Sequence, residues 1–392
     1  MNSGIVKLNS LVGKKNRFVL GIMSGTSMDG LDLALCKIEG FSLNTSLEVK
    51  FFSSVKVSEE LTGKFSELAF NPKVSVGRIL RFQAELNREW VRLISGQIKK
   101  WGIDSREVDL IASHGQTILH QPDLGGGLHA TWQLVDGDFL ANYLDIITVS
   151  DFRQKHIAAG YEGAPLAPLA EVLLFHESGE DRLLLNLGGI ANFTYLKGDL
   201  NEPGIPFATD TGPANTLLDE AVKRLMPGHR YDEDGAVAKT GTINRELLAK
   251  MKEHSFFNRP FPKSTGQEDF NWMWLHELIL KYSPDIKVSD LLSTLTEFTV
   301  DSISIAIHEH LPDTPENIKI FVSGGGWYNG YLIDRLQSKL SGCEILSSEE
   351  LGISPDAKEA ALFAVLANET VAGPGWINRK GKPFTLGKIS LP

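Results

Sequence analysis

The sequence predicts a two-domain α/β protein with mixed sheets, and three observations predict it. At 392 residues the chain exceeds what one ordinary hydrophobic core holds. A strand–turn–strand pattern at residues 17–36 recurs at residues 182–195. After each copy, helical spacing of apolar residues alternates with short apolar strands. We therefore expect an N-terminal lobe of residues 1–150 plus about 371–392, and a C-terminal lobe of residues 151–370.

The first copy of the pattern is a hairpin with a polar tip. Its turn is rich in small and hydroxyl residues, whose N–H and O–H groups suit phosphate oxygens. Asp29 suits such a turn if a divalent cation lies between its carboxylate and the phosphate. An ordinary glycine-rich hairpin turn is the alternative. The candidate phosphate-binding residues are Ser24, Gly25, Thr26, Ser27, Asp29 and Gly30.

The second copy carries the turn Gly188-Gly189 between two apolar strands. Two such hairpins, one at the start of each domain, could hold one polyphosphate from opposite sides, which predicts a nucleotide cleft. A third glycine-rich turn, at residues 324–326, follows the apolar strand predicted at residues 318–322. Gly324, Gly325 and Gly326 permit the close approach of a planar group, for which adenine or ribose is the obvious candidate.

Composition limits the classes of function. With 39 basic and 49 acidic side chains, the net charge of −10 gives no electrostatic reason to bind nucleic acid or an anionic membrane. The 2 cysteines cannot build a disulfide framework, which fits a reducing cytosol. Residues 1–16 read as a short, loosely held tail, and no run approaches the roughly 18 to 20 apolar residues of a membrane span. We therefore expect a cytoplasmic protein.

Polar residues follow two predicted strands of the first domain. His114, Gln116 and Thr117 come after the apolar residues 108–113, and Arg153 comes after residues 146–149. The carboxyl ends of parallel strands are where α/β proteins usually bind ligands. A hydrogen-bonded structural histidine is the more common role for His114 taken alone. The neighbouring polar residues favour a site.

Two carboxylates in the second half of the chain lie at the ends of predicted elements, and Asp210 is the candidate for catalysis. Asp210 ends an apolar strand, although it could instead cap the helix predicted from about Asn215. Glu359 lies near the start of the amphipathic helix predicted over residues 356–368. Lys263, followed by two hydroxyl residues, could reach a phosphate, but a simple loop explains residues 262–266 equally well.

The two hairpins and the late glycine turn resemble the actin, hsp70 and hexokinase superfold, whose ribonuclease H-like domains clamp ATP in a central cleft. Within it, seven motifs in order resemble the anhydro-N-acetylmuramic acid kinase family and span nearly the whole chain. They are GIMSGTSMDGLDLAL, ASHGQT, DFR with AAG and GAPL, NLGGIANFT, TDTGPAN, PKSTG and VSGGGWYN.

The resemblance implies an ATP- and Mg²⁺-dependent, homodimeric enzyme of cell-wall recycling that acts on 1,6-anhydro-N-acetylmuramic acid. It implies that Asp210 is the general base and that Glu359 assists it. It also implies that the first hairpin and Gly188-Gly189 hold phosphates, with Asp29 at the metal, and that residues 324–326 flank the nucleoside. The residues that it implies for the sugar are His114, Gln116, Thr117 and Arg153.

The sequence departs from the usual family pattern after DFR, where it reads Gln154-Lys155-His156, and at Ala214, where glycine is common. The first departure lies near the expected sugar side, where it bears on substrate preference and not on ATP use. One rival is a kinase of the same superfold that acts on another sugar or small acid. Another is a non-catalytic, ATP-gated binding protein, which would not require polar clusters such as that around His114.

Overall fold

The computed structural model describes residues 2–25, 27–71, 73–121, 123–200, 206–266, 268–311, 318–378 and 380–392. The chain divides into two compact units. Unit 1 comprises Met1–Phe175, Leu200–Ile205 and Asp356–Pro392, and unit 2 comprises His176–Asp199 and Pro206–Pro355.

The first part of unit 1 contains six helices and seven strands among its described residues. The helices are α1 (Ser3–Val12), α2 (Glu59–Leu68), α3 (Val76–Lys100), α4 (Gly137–Leu144), α5 (Phe152–Ala158) and α6 (Ala167–Phe175). The strands are β1 (Asn16–Met23), β2 (Gly30–Glu39), β3 (Ser46–Lys56), β4 (Leu110–Ser113), β5 (Gln116–Gln121), β6 (Ala130–Leu134) and β7 (Ile147–Ser150).

Unit 2 follows in the chain, and the last elements return to unit 1. The strands of unit 2 are β8 (Arg182–Leu187), β9 (Ile190–Leu196), β10 (Phe207–Pro213), β11 (Lys319–Ser323) and β12 (Glu344–Ser347). Its helices are α7 (Asn215–Leu225), α8 (Arg245–Lys252), α9 (Trp272–Tyr282), α10 (Val288–His310) and α11 (Gly330–Lys339). The last elements are α12 (Pro355–Ala372), β13 (Trp376–Ile377), β14 (Pro383–Phe384) and β15 (Lys388–Ser390).

Each unit is built on one main sheet, and the two sheets share an arrangement. In the described part of unit 1 the strand order is β15-β7-β4-β1-β2-β3, and in that of unit 2 it is β10-β9-β8-β11-β12. In both, three antiparallel strands come first in the chain, and two later strands run parallel to the first. This repeated mixed sheet is the ribonuclease H-like arrangement of the actin, hsp70 and hexokinase superfold, so the predicted fold class is confirmed.

The helices of unit 1 cover its sheet because their apolar residues follow helical spacing. In α3, Phe82, Leu86 and Trp90 are buried in the unit 1 core, and Ser75 caps its first turn. In contrast, α12 is buried over most of its length, from Ala357 to Glu369. Within the described ranges, none of the helices combines the length and apolar character needed to cross a bilayer.

A close approach between β1 and α12 holds unit 1 together. A Cβ atom placed on Gly21 would lie 1.9 Å from the carbonyl oxygen of Ala360. Glycine is therefore the residue that lets the strand backbone contact the helix backbone directly. Because of this contact, α12 belongs to unit 1 although it follows unit 2 in the chain.

The units are bounded differently from the expected domains. The expected boundaries at residues 150/151 and 370/371 differ from the observed ones, since α5, α6 and nearly all of α12 lie in unit 1. An ion pair of 2.7 Å between Glu171 of α6 and Lys358 of α12 joins two of these elements. Pairings distant in sequence decide the boundaries, and local composition does not show them.

The expectation of a loose tail at residues 1–16 is wrong for the described residues. They form α1, whose first turn is capped by the Asn2 side chain, with a 2.8 Å bond from the N–H of Gly4. The buried Arg17 guanidinium donates to the carbonyl oxygens of Leu11 and Lys14. It also donates to Asn368 Oδ1 at 2.6 Å, so the C-terminal helix fixes this segment.

Candidate active site

The tip of the first hairpin lies between β1 and β2 and is held by its own hydrogen bonds. Ser24 Oγ donates to the carbonyl oxygen of Gly30 at 3.1 Å. The carbonyl oxygen of Gly25 accepts from the N–H of Met28 at 3.1 Å and from Gln116 Nε2 at 3.0 Å. Gln116, predicted on the sugar side, therefore also supports the hairpin. Thr26, predicted to bind phosphate, lies outside the described residues.

Asp29, the candidate metal ligand, is exposed at this tip, and its Oδ1 accepts from Ser27 Oγ at 2.8 Å. Among the described residues, no group of three or more Asp, Glu, His or Cys side chains is arranged to hold a metal ion. Magnesium usually keeps several waters and needs one or two carboxylates besides substrate phosphates. The single exposed carboxylate at this tip therefore fits a magnesium ion that is held mainly by the phosphates of a nucleotide.

His114 and Arg153 form a buried pair in unit 1. His114 Nδ1 lies 2.9 Å from the carbonyl oxygen of Gly115, which can only accept, so Nδ1 carries the proton. Nε2 is then free to accept from Arg153 Nε at 2.9 Å. Burial, with a smaller contribution from the Arg153 charge, lowers the pKa of His114 to about 3. His114 is thus a neutral partner that orients Arg153.

The buried neutral His114 makes the stability of the protein depend on pH. Its pKa is lowered to about 3 when folded and is about 6.5 when unfolded, so only the unfolded chain binds this proton in between. The contribution is complete above pH 6.5 and falls by about 1.4 kcal/mol per pH unit on acidification through this window. Urea unfolding at pH 7 and pH 5 is expected to show a smaller pH-dependent loss in His114→Gln than in the wild type.

The comparison isolates His114 because other groups stay the same in both proteins. Burial also lowers the pKa of His156, to about 4, and that residue is unchanged in the variant. If both proteins lost equal stability between the two pH values, His114 would not be neutral in the folded state.

Glu359 lies in the second turn of α12 and interacts electrostatically with residues of the first half of the chain. Glu359 is exposed to solvent, but partial desolvation raises its pKa and the nearby Asp32 carboxylate raises it further, while Lys358 and Arg153 act in the opposite direction. The structure thus brings Glu359, Arg153 and Asp32 together within unit 1. Asp32 was not among the predicted residues, although it follows the polar tip on β2, opposite Met23.

The ribbon of β5 and β6 adds polar atoms that the sequence reasoning missed. Gln133 Nε2 donates to Thr131 Oγ1 at 2.7 Å and to Thr117 Oγ1 at 3.3 Å. Three buried atoms near this ribbon have no hydrogen-bond partner among the described residues: Gln133 Oε1, Gln116 Oε1 and His120 Nδ1. Buried polar atoms are normally paired, so these atoms indicate a place for water or a polar ligand.

Asp210 is a half-buried carboxylate on β10 of unit 2. Its N–H donates to the carbonyl oxygen of Lys263 at 3.0 Å, and its Oδ2 accepts from the N–H of Thr265 at 2.8 Å. Burial raises its pKa, and the Thr265 N–H partly opposes that shift. The helix that follows begins after Ala214 without a side-chain cap. Asp210 is therefore not a helix cap, and the alternative considered for it is excluded.

The glycine turns of unit 2 come together around the end of β8. The carbonyl oxygen of Gly188 accepts from the N–H of Asn215 at 3.0 Å, and that of Gly189 accepts from Ala214 and Thr216. Gly324 has a φ of +86°, and a Cβ there would lie 2.7 Å from the carbonyl oxygen of Leu187.

The glycines of the late turn differ in what surrounds them. A Cβ on Gly326 would lie 2.6 Å from Leu187 Cβ. A Cβ on Gly325 would instead meet nothing closer than Asn215 Nδ2 at 3.7 Å. Packing against β8 thus requires glycine at positions 324 and 326. At position 325 the space next to the Cα atom is open.

Lys263 does not extend toward a ligand, as one interpretation of residues 262–266 suggested. Its Nζ lies 4.0 Å from the ring centroid of Phe261 and 4.5 Å from that of Phe256. It also donates to the carbonyl oxygens of Phe256 and Phe257, at 3.2 and 3.4 Å. Burial lowers the pKa of Lys263. The side chain therefore anchors this segment within unit 2.

Removal of the Lys263 ammonium group is expected to affect stability more than nucleotide binding. Lys263→Met keeps the aliphatic stem but removes the cation–π contacts and leaves two carbonyl oxygens without their donor, at a cost of about 1 to 3 kcal/mol. Urea unfolding measures the stability, and the KM for ATP is measured at a temperature where the variant is folded. A large rise in this KM at unchanged stability would instead assign Lys263 to the phosphates.

Comparison with known proteins agrees with the motifs. The model of the anhydro-N-acetylmuramic acid kinase family matches residues 17–381. A Pseudoalteromonas atlantica protein named anhydro-N-acetylmuramic acid kinase is 40% identical over 408 residues, covering 100% of both chains. A Caldanaerobacter subterraneus protein of that name is 37% identical over 398 residues, covering 98% of this chain and 100% of its own.

A third relative of the same name comes from Bacillus thuringiensis. It is 35% identical over 358 residues, which cover 90% of this chain and 92% of its own. With the family model spanning both units and relatives matched over nearly their whole lengths, the chain belongs to the anhydro-N-acetylmuramic acid kinase family.

Proposed function

We propose that this chain is an ATP-dependent kinase that acts on 1,6-anhydro-N-acetylmuramic acid. Water opens the internal 1,6-anhydro bond while the γ-phosphoryl group of ATP is transferred to O6. The products are N-acetylmuramic acid 6-phosphate and ADP, and the reaction belongs to the recycling of peptidoglycan. The observation that supports this proposal most is the family match over residues 17–381.

Asp210 is the general base in this proposal. It takes a proton from water as the water oxygen attacks C1 of the sugar, and the C1–O6 bond breaks with its electron pair going to O6. O6 forms the new bond to phosphorus, and the bond between phosphorus and ADP breaks. Burial raises the pKa of Asp210, which makes its carboxylate a stronger base. The Thr265 N–H fixes one carboxylate oxygen, Oδ2.

The proposed substrate contacts draw on residues of both units. In unit 1, Arg153, oriented by His114, acts with Gln116 and Thr117 on the sugar, and Glu359 assists the base. Gln133 joins them because its buried Oε1 lacks a partner among the described residues. The nucleoside is flanked by residues 324–326. The phosphates are bound by Ser24, Gly25, Thr26, Ser27, Gly30, Gly188 and Gly189.

Magnesium is the metal that we propose for the reaction, with Asp29 as its protein ligand. Bound there, it would neutralise charge on the phosphates of ATP. The exposed Asp29 carboxylate suits an ion that remains largely bound to water and phosphate. We also propose that the enzyme is located in the cytoplasm and is a homodimer. Light scattering of the purified protein would test whether it is a dimer.

A coupled ADP assay with and without 1,6-anhydro-N-acetylmuramic acid tests the proposed function. We expect ADP formation to require the anhydro sugar and the product mass to equal the sugar plus one HPO₃ and one water. N-Acetylglucosamine at the same concentration is the control. Phosphorylation of that control alone would indicate a kinase for another sugar. Equal ADP formation without any sugar would indicate an ATP-gated binding protein.

A further inference from the structure

A chain of polar contacts leads from the Asp210 carboxylate to two charged residues that the proposed mechanism does not use. Oδ2 of Asp210 accepts from the N–H of Thr265 at 2.8 Å. The Oγ1 of the same threonine donates to Asp269 Oδ2 at 2.8 Å. Arg259 closes the chain, because its two terminal nitrogens donate to the two oxygens of Asp269, each at 2.8 Å.

The backbone around Thr265 is fixed on its other side as well. The carbonyl oxygen of Lys263 accepts from the N–H of Asp210, and the N–H of Lys263 donates to Thr209 Oγ1 at 3.0 Å. Arg259 also donates to the carbonyl oxygen of Ser264 at 3.3 Å. The segment 263–265 is therefore held to β10 by its backbone and to the Arg259–Asp269 pair by a hydroxyl group.

We propose that Asp269, paired with Arg259 and acting through Thr265, is a positioning residue that keeps a backbone N–H bonded to Asp210 Oδ2. This inference rests on the proposed function, since it matters for turnover only if Asp210 is the base. A forked Arg–carboxylate pair has one preferred geometry, and so it can fix the Thr265 hydroxyl more narrowly than a single contact could.

The charge state of the network agrees with this role. Arg259 is the main influence that lowers the pKa of Asp269, and Thr265 and the nearby His254 lower it further. Arg259 also interacts with Glu268. Asp269 is thus ionised at neutral pH and accepts hydrogen bonds from both of its partners. The pKa of Asp210, in contrast, is raised by burial and lowered by the hydrogen bond from the Thr265 N–H.

A weaker bond from Thr265 is expected to raise the pKa of Asp210, because the opposing effect of burial remains. Asp269→Asn removes the charge that holds Arg259, and Thr265→Val removes the connecting hydroxyl but keeps the backbone N–H. In both variants we expect the acid limb of the kcat–pH profile to move upward by about one pH unit. At pH values on or below the acid limb, kcat of each variant is expected to be about tenfold lower than that of the wild type. This difference becomes smaller as the pH rises above the limb.

Two readouts separate positioning from a general structural defect. The pKa of Asp210 is measured without substrates by NMR of carboxyl-labelled aspartate, with its signal assigned from its absence in Asp210→Asn. Thr265→Ser keeps the hydroxyl group and is expected to restore the wild-type profile. Asp285→Asn, at an exposed aspartate of the same unit, is the matched control. The KM for ATP is expected to stay within about twofold of the wild-type value in every variant, because the chain of contacts ends on Asp210.

The outcomes are distinguishable. An unshifted Asp210 pKa in Asp269→Asn and Thr265→Val overturns the inference, and so does an equal loss of kcat at all pH values. A shifted pKa with unchanged turnover shows that the network does not serve the reaction, and it also overturns the inference. If the wild type itself does not turn over the anhydro sugar, the proposed function fails. The NMR titration, which is made without substrates, then still shows whether Asp269 and Thr265 position the N–H at Asp210.

Discussion

Asp210→Asn is expected to lower kcat by about 10² to 10⁴-fold, the range typical for removal of a general base. The amide keeps the size of the side chain and an oxygen that can accept from the N–H of Thr265, so the local structure is preserved. It cannot accept a proton from water. The stability of the variant is expected to change little, because the acceptor of the Thr265 N–H remains.

Kinetics and binding together test this expectation. ATP binding, measured by calorimetry without the sugar, is expected to stay within about twofold, since a base contributes to the transition state and not to the ground state. If Asp210 is the base, the acid limb of the wild-type profile is expected to report its ionisation, with kcat falling as the pH drops through its raised pKa. The residual activity of the variant should lack that limb. Substantial turnover with the limb intact would assign the base to another residue.

Gly21→Ala is expected to destabilise the protein by about 3 kcal/mol or more, at the upper end of the cost of overpacking. The added methyl carbon would lie 1.9 Å from the carbonyl oxygen of Ala360 and 2.7 Å from its carbonyl carbon. Both contacts are to helix backbone, which cannot rotate out of the way as a side chain can. The strand and the helix must therefore separate.

The displacement should also reduce activity, because Glu359 directly precedes Ala360 in α12. Thermal unfolding is expected to show a Tm lower by about 10 °C, from roughly 2 to 4 °C per kcal/mol for a unit of this size. Gly96→Ala is the control, since a Cβ there meets nothing within 4 Å and alanine favours the helix. Equal stability of the two variants would mean that the β1–α12 contact is looser than the structure shows.

Features that depend on local periodicity could be predicted from the sequence. The repeated hairpin, seen as β1–β2 and again as β8–β9, follows from the spacing of apolar residues. Contacts between distant parts of the chain could not be predicted in this way. The helix α1 was missed because it is held by Arg17, whose partner Asn368 lies 351 positions along the chain.

The candidate site shows the same limit. The residue types around His114 and Asp210 indicated chemistry, but no pattern in the sequence shows that His114 bonds to Arg153 or that Asp210 accepts from Thr265. The rings around Lys263 come from residues only two to seven positions away, yet their inward direction depends on how the segment folds back. Asp32 lies inside the first motif, but nothing in that string marks it as part of a site, and Gln133 belongs to none of the seven motifs.

The order of elements along the chain has a consequence for biosynthesis. The ribosome makes β1 and β7 early, but their partners α12 and β15 emerge only after all of unit 2 has been translated. Until then β7 has an unpaired edge and the backbone at Gly21 lacks its helix, which leaves the nascent chain open to association with other chains. Unit 2 is nearly continuous in sequence, so its sheet does not depend in this way on elements that are made last.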